Sequence, residues 1–258
     1  NTFVRSLRSE IRKMTSLRST WVTLGLWLGF GILITWAMAA TLTNGQNNVG
    51  GINVHGEFHP IFITGSAQLY YIFAMVLGAL AVTGEYASNT MRTTIVSQTS
   101  RMRAFTSKIA AVTIVMGIAT AVIIAVLVAV TLLAGGLSWN GGDGNLRALL
   151  LFWLACVLTA LMITGAGYIL RSTAGSIVTG VMVLFVSEML RLVPVKFFRE
   201  TLPKFLPSGA TSGMTVSDTA NPTQTIDYLS PGTATLVWLV YVSVFVILGA
   251  IRYQKSDA

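Results

Sequence analysis

Long apolar runs alternate with short polar stretches along this chain. Six runs are long and poor enough in charge to cross a bilayer as helices: Trp21–Thr41, Ile61–Thr83, Ile109–Leu137, Ala148–Leu170, Ala174–Val193 and Gly232–Ile251. The third exceeds the roughly 20 residues a span needs, so it tilts or extends past the bilayer. The fifth carries Glu188 and Arg191 near its end and is the weakest of the six. Ahead of the first span the pattern changes. Phe3, Leu7, Ile11, Met14 and Leu17 recur at steps of four, four, three and three, which gathers them on one helical face. Arg5, Arg8 and Arg12 fall on the other face, with Lys13 beside them. Residues 1–20 therefore read as an amphipathic helix lying in the membrane interface, its cations toward anionic headgroups or a partner. The plainer alternative is a topology signal that happens to be helical. These polar residues do not read as a signal peptide.

Composition supports the same class. Hydrophobic residues make up 53% of the chain and charged residues only 10%, against about 25% charged in a soluble domain. The expected fold is an all-α integral membrane protein, with the interfacial helix over 1–20 and a six-helix membrane domain over 21–258. The net charge of +8 does not indicate nucleic acid, because the cations flank apolar spans and form no basic stripe interleaved with aromatics. With the N-terminus inside, 12 Lys and Arg fall on the inner side and 5 on the outer. Both termini and segment 84–108 are then cytoplasmic, and 194–231 is the longest outer segment. Leu42–Pro60, rich in Gly and Asn, is expected to be irregular or weakly ordered. Val195–Phe205 alternates apolar and cationic residues and fits a short surface helix, which Pro203 and Pro207 then break. Cys156 lies inside a span and reads as a small packing residue.

Several chemistries are excluded or weakened. No Gly-x-x-x-x-Gly-Lys-Ser/Thr sequence occurs, so the chain has no P-loop for ATP. An intramembrane serine protease needs a Ser and a His poised within the bilayer, but both histidines lie in one outer loop. His55, Glu57 and His59 alternate and would share a face of a strand, yet a third strong ligand is not evident and a solvated loop is the better reading. Glu188 and Arg191 are three apart on one helix face. They form either a salt bridge at the outer end of the fifth span or a charged gate. Glu188 is the one clear acid within the spans, which weighs against a proton-coupled carrier. Gly25-x-x-x-Gly29 and Gly165-Ala166-Gly167 allow close helix approach. Phe73, Met182, Phe185 and Met189 suit a soft apolar path, or equally packing and lipid contact.

Several stretches carry a family resemblance, which covers essentially the whole chain. Ser9-Glu10-Ile11-Arg12-Lys13 followed by Leu17-Arg18-Ser19-Thr20-Trp21 resembles the approach to the first span of bacterial ABC-2 type permeases. Gly78 to Tyr86 followed by Asn89-Thr90-Met91-Arg92-Thr93-Thr94 is similar to the end of the second span and the next cytoplasmic turn in that family. Arg101, Arg103 and Lys108 match its basic cluster, and Leu206-Pro207-Ser208 and Leu229-Ser230-Pro231 its last outer segment. The resemblance implies a type V exporter-like architecture and a non-catalytic permease subunit in a bacterial plasma membrane. It implies two separate ATPase subunits, which carry ATP and Mg, and a second permease copy or paralogue. It implies export of a drug, antimicrobial peptide or lipid-like compound. The turn after the second span becomes a coupling helix, with Glu85, Tyr86, Thr90, Arg92 and Thr93 meeting the ATPase and Glu85 at the helix start, where a carboxylate suits the positive end. The alternative is an ATP-independent carrier or channel.

Overall fold

The computed structural model describes residues 2–43, 48–49, 52–53, 56–87, 101–139, 143–191, 195, 197, 201–215 and 229–255. The helices are α1 (Thr2–Ser16), α2 (Arg18–Thr43), α3 (Ile61–Thr64), α4 (Ala67–Ala87), α5 (Arg101–Gly135), α6 (Asp143–Leu170), α7 (Thr173–Arg191), α8 (Pro207–Thr215) and α9 (Pro231–Lys255). Among the described residues, five helices are long and apolar enough to cross a membrane: α2, α4, α5, α6 and α9. The fold is that of an all-α, multi-pass membrane protein. The fifth expected span corresponds to α7, whose apolar stretch Thr173–Val186 is shorter than the other five.

α6 is the central helix, packing against α4, α5, α7, α8 and α9. Its seams with α4 and α9 are set by glycine. A Cβ on Gly78 of α4 would lie 2.4 Å from the Ala160 carbonyl oxygen, and one on Gly165 would lie 2.6 Å from that of Phe245 in α9. Only glycine lets these backbones approach so closely, and the missing side chains are replaced by backbone contact. Gly25 and Gly29 behave differently. A Cβ at either would meet nothing within 4 Å, so this spacing marks no seam within the chain.

The structure departs from the sequence pattern in four places. The expected second span is interrupted at Gly65 and Ser66: α3 ends where the Gly65 amide bonds to the Ile61 carbonyl at 2.8 Å, and α4 starts afresh at Ala67. The basic cluster from Arg101 to Lys108 is already helical and forms the first turns of α5. Pro207 does not break structure but opens α8, since a proline at the first helical position loses no intrahelical bond. α8 is almost wholly buried, and the Trp238 indole of α9 donates to Thr211 Oγ1 at 2.8 Å. Within Leu42–Pro60, finally, Asn48 and Val49 pair antiparallel with Asn53 and Ile52. Beyond that ladder, Phe58 and Ser138 are joined by a 2.9 Å backbone bond. The loop is thereby tied to the turn after α5, where loose structure was expected.

The α6–α7 connection is equally specific. Arg171 adopts φ 52°, the left-handed value that ends many helices, and its amide bonds to the Gly167 carbonyl at 2.9 Å. Ser172 Oγ then accepts from the Gly175 amide at 3.3 Å, capping α7.

Candidate functional site

The end of the bundle where α1 packs holds an alternating set of four charges. α1 lies against α5, with Leu7, Ile11 and Met14 in the apolar contact and Ser6 Oγ donating to Ser107 Oγ at 2.8 Å. Glu10 falls on this same face, three residues after Leu7 and four before Met14, so helix geometry buries it. Its side chain is 1% exposed, that of Lys108 in α5 is 3% exposed and that of Glu85 in α4 is 12% exposed. Lys108 Nζ pairs with Glu10 Oε2, and with Glu85 Oε1 at 2.5 Å. Lys13 Nζ reaches Glu10 Oε1 at 2.7 Å and Glu85 Oε1 at 3.2 Å. Two carboxylates and two ammoniums thus cancel in formal charge.

This neutrality is what makes the burial affordable. A lone buried ion would lose several kcal/mol of hydration, whereas each ion here is met by two of opposite sign. Burial pushes the Glu10 carboxyl up, but the Lys108 and Lys13 ammoniums beside it more than offset this, and it titrates below its ordinary range. Burial pushes Lys13 down, and Glu10 and Glu85 overcome that to raise it. Glu85 is not at the start of a helix. It lies in the last turn of α4, where the helix dipole disfavours a carboxylate, and the two ammoniums compensate.

Aromatic rings and further bonds extend the junction across the same end. Phe105, Tyr168 and Tyr253 pack at centroid distances of 4.9, 5.2 and 6.2 Å, joining α5, α6 and α9. The Arg171 guanidinium stands 5.6 Å above the ring of Tyr86. Arg101 donates to the Gln254 carbonyl at 3.0 Å. Thr83 Oγ1 and Thr173 Oγ1 share a 2.7 Å bond between α4 and α7.

The other expected site residues separate into groups. Arg5, Arg8 and Arg12 are exposed along α1. Thr90, Arg92, Thr93 and His55 lie outside the described residues, as do the side chains of Glu188 and Arg191. Phe73 stacks on Trp27 with centroids 6.1 Å apart and tilts against Phe30 at 6.2 Å. Met182, Phe185 and Met189 stand exposed on α7. His59 Nδ1 accepts from the Ile61 amide at 3.2 Å, and burial lowers its pKa. Among the described residues no three His, Cys, Asp or Glu side chains gather as a metal site.

Glu10 is the member of the junction that the apolar pattern obscures. Its one local signal is the spacing of three to Lys13 within an otherwise apolar stripe. Glu85 and Lys108 were legible as charges bracketing a polar stretch, but not as partners.

Residues 44–258 match a family model described as protein of unknown function (DUF2705). The chain belongs to this family. The matched region holds Glu85 and Lys108, whereas Glu10 and Lys13 precede it. No curated protein matches the chain.

Proposed function

We propose that this chain is the transmembrane permease subunit of an ATP-binding-cassette exporter of ABC-2 type. In this reading it crosses a bacterial plasma membrane six times, with α7 as the fifth span and both termini cytoplasmic. It forms the substrate path beside a second permease copy or paralogue. Two separate ATPase subunits bind ATP and Mg and supply the motion. The cargo is a drug, antimicrobial peptide or lipid-like compound.

The observation that carries the reading is the four-charge junction. Glu85 closes α4 and Lys108 lies near the start of α5, so the two flank segment 88–100 from either side. Glu10 and Lys13 tie α1 to both. A push on that segment is therefore delivered to α1, α4 and α5 together, as a coupling element requires. The exposed Arg5, Arg8 and Arg12 favour anionic headgroups beside it. The exposed Met182, Phe185 and Met189 offer an adaptable apolar face to lipid, cargo or the second permease.

Affinity purification of the chain in mild detergent from its native cells tests this directly. ATPase subunits in equal number to permease chains are expected, and Arg92→Glu should shed them without loss of membrane insertion. Transport in liposomes by the chain alone, with no ATPase present, would overturn the proposal in favour of an ATP-independent carrier or channel.

A further inference from the structure

Five side chains inside the bundle hold a polar atom with no hydrogen-bond partner among the described residues: Trp27 Nε1, Thr35 Oγ1, Tyr70 Oη, Tyr71 Oη and Thr120 Oγ1. All five are 2% exposed or less. Similar groups nearby are satisfied. Thr131, Thr159 and Thr164 donate to a carbonyl one turn earlier, at 2.7–2.8 Å. Trp153 Nε1 donates to the Gly117 carbonyl at 2.7 Å. A helical threonine always has that earlier carbonyl within reach, so Thr35 and Thr120 have turned away from an available partner. Buried Tyr and Trp usually find one as well. Unmade bonds are costly in hydrocarbon, and five in one region need a common cause.

Their placement supplies one. Trp27, Gly31 and Thr35 follow one another by single turns on the same face of α2. At Gly31 the absent side chain admits the Tyr70 ring and Leu127, 3.3 and 3.1 Å from where a Cβ would stand. Trp27 stacks on Phe73 of α4, and Tyr70 and Tyr71 both flank Phe152 of α6, at 5.6 and 5.9 Å. Gly31 meets Leu127, and Ala39 meets Gly135, so α2 and α5 run parallel and in step. Thr120, two turns before Leu127 on the buried face of α5, then lies about one turn from Trp27. The five atoms spread along about 16 Å of the bundle axis. None carries a formal charge. The indole can only donate, while the four hydroxyls both donate and accept.

We infer that the seams among α2, α4, α5 and α6 hold bound water at these five residues. A neutral molecule that donates and accepts within the width between packed helices is what this lining recognises, and water is the smallest. The inference is independent of the exporter reading.

Radiolytic hydroxyl-radical footprinting of the full chain in lipid nanodiscs, read by mass spectrometry, tests it, because radicals arise where water is bound. Trp238 is the control: it is equally buried, and its indole is bonded to Thr211. Trp27, Tyr70 and Tyr71 should be oxidised several-fold more than Trp238. The variant Thr35→Val, Tyr70→Phe, Tyr71→Phe, Thr120→Val should lose that excess at Trp27 and melt no higher than the parent. Equal oxidation of Trp27 and Trp238 in the parent chain overturns the inference, and this comparison stands even if the variant does not fold. So does unchanged labelling of Trp27 in the folded variant, or a raised Tm, since removing dry unpaired hydroxyls stabilises.

Discussion

The glycine seams of α6 and the charged junction at α1 hold helices together by opposite means. At Gly78 and Gly165 backbone meets backbone, leaving no side chain to rearrange and no charge to alter. At Glu10, Lys13, Glu85 and Lys108 long side chains bridge three helices, and each contact depends on ionisation. Separating the first kind means parting two backbones. The second can be weakened by a change of protonation alone. The proposed permease role would draw on both: a body that keeps its shape and a joint that does not.

The largest effect separating the two should come from Lys108→Met. It leaves two largely buried carboxylates with one ammonium, and losing one partner of a buried pair costs about 3–5 kcal/mol. Thermal unfolding in nanodiscs should show the loss, and adding Glu10→Gln should recover part of it. Additive losses would mean that the four charges do not act as one unit.

Gly78→Leu and Gly165→Leu come next, at about 1–3 kcal/mol each by overpacking against a carbonyl, measured the same way. These losses should be indifferent to pH.

The junction should respond to pH where the seams do not. Glu10 titrates below its ordinary 4.5 in the folded chain, so its contribution is complete above that value and is lost as pH falls through the lower, folded one. Lys13 titrates above its ordinary 10.5, so its contribution is complete below that value and is lost as pH rises through the higher, folded one. Spin labels at the exposed Arg8 and Met102 should keep a fixed separation between these limits and spread in acid. Labels at the exposed Leu150 of α6 and Leu236 of α9 should not move. Parallel spreading of both pairs would erase the distinction.

The smallest effect belongs to Gly25→Leu combined with Gly29→Leu. Nothing faces either position, so monomer stability should stay within about 0.5 kcal/mol.

That last pair shows what a sequence pattern conveys and what it omits. Gly25 and Gly29 have the spacing of a close helix contact, yet face no neighbour, while Gly78, in no such motif, forms the tightest approach between two spans. Periodicity describes one helix at a time. The five runs that became span-length helices and the stripe on α1 were legible because each depends only on its own residues. The junction was not, because Lys13 and Glu85 are 72 positions apart and nothing local couples them. The break at Gly65 and the helix opened by Pro207 escaped for a related reason. Gly and Pro mark a boundary without saying which side of it is helical.

α5 is 35 residues long, about 52 Å, whereas the hydrocarbon core of a bilayer is about 30 Å. It bears on α2 at Leu127, in the space left by Gly31. From that point about 39 Å of helix runs back to Arg101 and only about 12 Å onward to Gly135. Because Gly135 also meets Ala39, the helix is held against α2 over its last two turns, and its surplus length projects from the charged end.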